Sequence, residues 1–175
     1  KIISLTKNPL ENSNLLGELF TAISHRQVIE LHYHKFSSAQ SELTANVYPY
    51  LLKEYNRRWF LIAAAESDGK ILCFGLDRID SVVPLPSHKY IDYAGEITEI
   101  FDDIIGVTLN EKSPVYNIIF WVSDISKDYV ITKPIHESQK NICGSEELKL
   151  REKYPTLFNG KFFSIDCKEN YELIR

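Results

Sequence analysis

Arg58-Trp59-Phe60-Leu61-Ile62-Ala63 decides how the first half of the chain folds. The run is short, lacks Pro and Gly, and is apolar at nearly every position, the pattern of a well-buried β-strand. Asn56-Arg57-Arg58 in front of it forms a tight polar turn, and Val47-Tyr48-Pro49-Tyr50-Leu51-Leu52 before that forms a second strand. Behind it, Ser67-Asp68-Gly69-Lys70 is a hairpin turn signal. A third strand follows from Ile71 through Leu76-Asp77-Arg78-Ile79. Three strands joined by two short turns make a β-meander with the Trp-Phe-Leu strand in its middle.

Working outward, residues 1–12 are an extended lead-in, and Asn12 or Ser13 caps a helix by satisfying free amides of its first turn. Leu15, Leu16, Leu19, Phe20 and Ile23 then recur at helical spacing as one apolar stripe running to about Ser24. Gly17 weakens this helix by about 1 kcal/mol relative to Ala. Val28 to Phe36 is the first strand, with Ile29, Leu31 and Tyr33 on one face and Glu30, His32 and His34 on the other. Ser37 to Ser41 is a loop. Further strands fall at about 44–52, 58–65, 70–78 and 80–85. Five short antiparallel strands would leave long free edges, so a closed SH3/Sm-like β-barrel over residues 13–90 is expected.

A linker covers 91–111. Its helix runs from Tyr93 to Ile105 on an apolar face of Ile97, Ile100, Phe101, Ile104 and Ile105, and Gly106 stops it. Glu96, Glu99, Asp102 and Asp103 lie largely on the solvent side of that helix, which makes them a solvated acidic face rather than a metal site. Residues 112–175 form a second unit. Val115 to Val122 is strongly β-prone, a short helix follows at 124–130, and strands fall at about 138–143 and 161–167. The order β-α-β-β predicts a ferredoxin-like unit that lacks its last helix and strand, giving an α+β chain overall. The chain begins at Lys1 and contains no Met, as expected of a fragment, and its last domain is expected to be truncated. An open strand edge there predicts a homo-oligomer.

Bulk numbers narrow the function. Lys and Arg total 20 against 24 Asp and Glu, for a net charge of −4, unlike an indiscriminate nucleic-acid binder. Residues 1–90 carry ten Lys/Arg and nine Asp/Glu, net +1, whereas residues 91–175 carry ten and fifteen, net −5, so an anionic ligand prefers the first half. Cys73, Cys143 and Cys167 include no CxxC pair, and an odd number argues against a disulfide framework. A reducing, cytoplasmic compartment is expected, with Cys73 as a small core residue. No apolar run reaches the roughly 20 residues of a membrane span, and no signal peptide opens the chain. There is no GxSxG, HExxH or P-loop. His136, Glu137 and Ser138 are neighbours whose side chains point apart. No enzyme, no cofactor and no metal are therefore expected.

Binding is the better expectation. Small barrels set aromatics and cations on an open face, where a base can stack and a phosphate can be paired. The ligand-site candidates are Tyr33, Arg78, Arg58, His32, Tyr48, Trp59 and Phe74, with Tyr50 and Arg57 beside them. Each has a plainer alternative: Trp59 and Phe74 as core residues, Arg57 and Arg58 as a solvated turn, Asp77 and Arg78 as a local ion pair.

Trp59-Phe60-Leu61, Pro49 and Leu76-Asp77-Arg78-Ile79 resemble the WYL domain family, with Phe60 at the family's Tyr. Ala22-Ile23 and Ile29-Glu30-Leu31-His32-Tyr33 continue the likeness backwards. Tyr129 to Gln139, holding Thr132-Lys133-Pro134-Ile135-His136-Glu137-Ser138-Gln139, is similar to the C-terminal extension that often follows such domains. The resemblance implies a ligand-sensing region of a bacterial transcription regulator whose DNA-binding helix-turn-helix lies N-terminal to it. It implies a ligand such as single-stranded nucleic acid, a nucleotide or another anion, and it carries Tyr33 and Arg78 over as site residues. Leu72 and Gly75 stand where many relatives have Arg, which thins the positive charge. The alternative function is a protein-interaction or dimerisation module without a small ligand.

Overall fold

The computed structural model describes residues 13–36 and 42–174. The lead-in at 1–12, with the cap assigned to Asn12, and the Ser37–Ser41 loop lie outside the described residues; Ser13, the other cap candidate, is the first residue of the helix itself. The chain divides into two compact units, 1–97 and 98–175.

The first unit opens with helix α1, Ser13–Ser24. Leu15, Leu19 and Ala22 are buried in the main core, and Leu16 and Ile23 pack against it. Phe20, expected on the same stripe, points outward and is 65% exposed. It stands one position past Leu19, which rotates it off the buried face.

Five antiparallel strands follow: β1 Ile29–His34, β2 Glu42–Tyr55, β3 Arg58–Ala65, β4 Ile71–Gly75 and β5 Ile79–Pro84. Their order in the sheet is β4-β3-β2-β1-β5. β1 alternates as expected, with Ile29, Leu31 and Tyr33 buried and Glu30, His32 and His34 half-exposed. β3 lies between β2 and β4, and its Leu61 to Ala65 are buried. The β2–β3 connection is a two-residue hairpin in which Asn56 and Arg57 both take positive φ, 49° and 64°, as the twist of a tight hairpin demands. The β2–β3 register slips between Pro49 and Leu51. Proline has no N–H for a ladder, and this bulge is where a long inner strand can hold one.

The expected closed barrel is not formed: among the described residues no ladder joins β4 to β5. Instead a 3-10 turn, Leu76–Arg78, carries the chain from one sheet edge to the other. A flat five-stranded sheet would place those edges about 19 Å apart, while such a turn advances only about 2 Å per residue. The sheet must therefore coil strongly, and buried Leu76 sits at the joint.

On the face away from the main core, Val28, Tyr48 and Ala64 form a second cluster under Tyr50, Ile71, Leu85 and Tyr90. The segment after β5 folds back there. The Tyr90 hydroxyl donates to the Pro49 carbonyl at 2.6 Å, and the Tyr50 hydroxyl donates to the Ile91 carbonyl at 2.9 Å. The Tyr90 ring meets the Tyr48 ring edge-on at 5.8 Å. Burial, followed by the charges of Tyr50 and Asp92, pushes the Tyr90 phenol up to about 12. An acid whose pKa is raised on folding gives stability that is complete below its unfolded value of 10.0 and lost as pH rises towards 12. The first unit should thus melt at progressively lower temperature above pH 10, and Tyr90→Phe should flatten that decline; an equal decline in the variant would show that Tyr90 does not cause it.

The second unit does not begin with the expected linker helix at 93–105. Only a 3-10 turn, Ile97–Phe101, forms there. Gly95 takes φ 114° and breaks the run, and Tyr93 packs against Tyr50 at 5.8 Å. Phe101, Ile104 and Val107 still turn inward. Then come β6 Val115–Ser123, α2 Lys127–Thr132, β7 Lys140–Asn141, α3 Gly144–Lys153, β8 Gly160–Lys168 and α4 Tyr171–Ile174. The sheet order is β6-β8-β7, with β8 antiparallel to both neighbours. Helix α3 was not expected. It buries no residue, so it shows no apolar stripe. Arg151 fastens it by donating to Glu147 at 2.6 Å and to the Gly160 carbonyl at 2.9 Å. His136 and Gln139 fasten the bend before β7. The His136 and Ser138 side chains, expected to point apart, meet instead: the bend brings the ring to 2.7 Å from the Ser138 hydroxyl, which also bonds the Asp166 backbone. Gln139 accepts from the Ile135 N–H and donates to the Val130 carbonyl.

Candidate ligand site

The main core ends at a corner made by the last residues of β1, the end of β4 and the 3-10 turn. Tyr33, the last core-facing residue of β1, is buried and meets Phe74 edge-on, with ring centroids 5.1 Å apart. The Arg78 guanidinium lies over the Tyr33 ring at 5.2 Å and over the Phe36 ring at 5.4 Å. One cation is thus held between two aromatic faces, which attract it through their ring quadrupoles. Phe36, just past β1, is 72% exposed and forms the outer wall.

Asp77 completes the corner. Its Oδ1 is 3.8 Å from Arg78 Nε and its Oδ2 is 3.5 Å from Arg58 Nη1. Asp77 and Arg78 sit on a 3-10 turn, not on a strand, so they do not alternate across a sheet; both side chains reach the same corner. Gly75 makes room for this. A Cβ there would stand 2.6 Å from Asp77 Oδ1 and 2.9 Å from Arg78 Nη2. Its φ of −67° and ψ of 129° suit any residue, so glycine here gives those two side-chain ends space rather than backbone freedom, and a larger residue would push them aside. Burial raises the Tyr33 phenol, opposed by the Arg78 charge and by a hydrogen bond from the Gly75 backbone. Tyr33 is therefore a neutral wall at physiological pH.

Of the expected site residues, the structure brings Tyr33, Arg78, Arg58 and Phe74 together. Phe74, 3% exposed, supports Tyr33 from inside the core. Trp59 packs half-buried against the same core. His32 lies on the opposite face of β1, held by Glu30 at 2.9 Å and Thr44 at 3.3 Å. Tyr48 belongs to the second cluster with Tyr90, and Tyr50 joins them there. Phe36, Asp77 and Gly75 were missed as site residues. Asp77 was visible as a neighbour of Arg78; nothing in the sequence marked Phe36 as its second ring. Among the described residues, no group of three or more His, Cys, Asp or Glu side chains could hold a metal ion.

A helix-backed, strongly coiled five-stranded sheet with a cation–aromatic corner defines a small α+β module. Residues 14–84 match the WYL domain family, and this part of the chain is a WYL domain. Among solved structures, the chain is similar to proteasome accessory factor B/C (PafBC) of Arthrobacter aurescens, at 16% identity and a TM-score of 0.43. The match covers 94% of this chain and 22% of that one, so the chain spans about a fifth of the PafBC chain. No curated protein matches it. No helix among the described residues is long and apolar enough to cross a membrane.

Proposed function

We propose that this chain is the ligand-sensing region of a bacterial, cytoplasmic transcription regulator, and that its ligand is an oxyanion, with a nucleic-acid phosphate as the leading case. The observation that carries this is Arg78, a permanent cation held between Tyr33 and Phe36 with Arg58 close by. A guanidinium cannot lose its charge, and its planar fork suits phosphate. An exposed ring beside it can stack on a base. We read the corner as a binding rather than a catalytic site: among the described residues it sets no nucleophile beside a base. In the full regulator a helix-turn-helix region would read DNA. The strand order, with a 3-10 turn before the last strand, supports an SH3/Sm-like description of the first unit. The order β6-β8-β7, with β8 between two mutually parallel strands, supports a ferredoxin-like description of the second, as a C-terminal extension.

Titration with short single-stranded oligonucleotides at two salt concentrations tests the proposal. Two arginines neutralising two phosphates should give a slope of log affinity against log salt of about −1.4. Absence of binding, together with concentration-dependent self-association in sedimentation, would replace it with the interaction-module alternative.

A further inference from the structure

We infer that Asp77 is the resident counter-anion of the Arg58–Arg78 pair, so that a phosphate oxyanion enters the corner in competition with a carboxylate the protein itself carries. This rests on the proposed ligand site. The geometry of the carboxylate supports it. Charge-assisted N–H···O bonds normally close to about 2.7–2.9 Å. Asp77 stands 3.5 Å from one guanidinium and 3.8 Å from the other, so it neutralises both without forming a tight bond to either. Arg78 Nε is buried and has no hydrogen-bond partner among the described residues. A charged donor left open in this way retains the capacity to bind an acceptor that fits better.

Placement also matters. Asp77 is 22% exposed while Arg58 is 64% exposed, so the carboxylate lies deeper than the arginine that would meet an incoming ligand. The absent side chain at Gly75 leaves the space in which Asp77 Oδ1 and the Arg78 Nε and Nη2 atoms come up against the backbone. An oxyanion placed between the two arginines would displace Asp77 or be repelled by it. Affinity is therefore set low, and the site discriminates by demanding more charge or better geometry than one carboxylate offers.

The test uses the whole chain and two probes: a fluorescently labelled short oligothymidylate, and inorganic phosphate as competitor. Asp77→Asn removes the charge with little change of shape. Asp68→Asn, in the exposed β3–β4 turn, removes the same charge elsewhere. The expected result is a gain of about threefold to tenfold in oligothymidylate affinity for Asp77→Asn, the range set by a weak, half-exposed ion pair, and no comparable gain for Asp68→Asn. Competition by inorganic phosphate would assign the recognition to phosphate alone; its failure would assign it to the nucleic-acid strand. An unchanged or lower affinity in Asp77→Asn, or an equal gain in Asp68→Asn, overturns the inference and leaves the ligand site standing. Arg78→Ala binding as well as the parent, or no binding of either probe by any variant, removes the site itself. Asp77→Ser is the second variant; failure of both Asp77 variants to fold would make Asp77 structural and overturn the inference.

Discussion

Arg78→Ala is expected to weaken oligonucleotide binding by about 1.5–3 kcal/mol, roughly tenfold to over a hundredfold, the usual cost of a hydrogen bond to a charged group. Stability should change much less. Among the described residues Arg78 forms no short ion pair, since its partner Asp77 stands 3.8 Å away. Its contacts with the Tyr33 and Phe36 rings are each worth about 0.5–1 kcal/mol at a partly exposed site. Arg78→Lys should recover only part of the affinity, because an ammonium offers a point charge where the guanidinium offers a fork and a stacking plane. Binding and melting are read on the same preparations. A large fall in melting temperature with unchanged binding would assign Arg78 to the fold.

The family resemblance singles out Tyr33 and Arg78; what the local pattern itself makes legible is the inward face of Tyr33. Alternation in Ile29-Glu30-Leu31-His32-Tyr33 puts Tyr33 inward, and the structure agrees. The face of Arg78 was not legible. Continuing the strand through Leu76-Asp77-Arg78 sets Asp77 and Arg78 on opposite sides, whereas a 3-10 turn brings both to one corner. Strand and turn are hard to separate in three residues, and here the need to cross between sheet edges decides. His32 and Tyr48 lie away from this corner for a related reason. Residue type marks each as a binder, but alternation along its strand sets which face it occupies: His32 lies opposite Leu31 and Tyr33, and Tyr48 opposite Val47.

The second unit shows the same limit from another side. Val115 to Val122 was legible because β-branched and aromatic residues dominate it, and β6 spans Val115–Ser123. Helix α3 was not, because its stability comes from Arg151 bonding to distant carbonyls rather than from an apolar stripe. The expected linker helix does not form: Ile97, Ile100, Phe101 and Ile104 have helical spacing, yet of these only Phe101 and Ile104 are buried. Spacing permits a helix, but one fitted to a single buried turn can stay 3-10.

Phe163→Ala should have the largest effect on stability, a loss of about 3–5 kcal/mol. Phe163 is fully buried in β8, the central strand of its sheet. It faces Phe120 across the β6–β8 ladder, and the two rings stack with centroids 5.5 Å apart. On the other side β8 pairs it with Asn141. Truncation therefore removes apolar contact and leaves a hole that two paired strands cannot collapse to fill. Much of the total stability of a small domain is of this size, so the second unit should lose its cooperative melt or melt far below the parent. Phe158→Ala is the matched control: the same chemical change at a side chain 68% exposed should cost no more than about 0.5 kcal/mol. Thermal melts of the two variants give the contrast directly. Equal losses would mean that burial in this sheet does not set the stability of the unit.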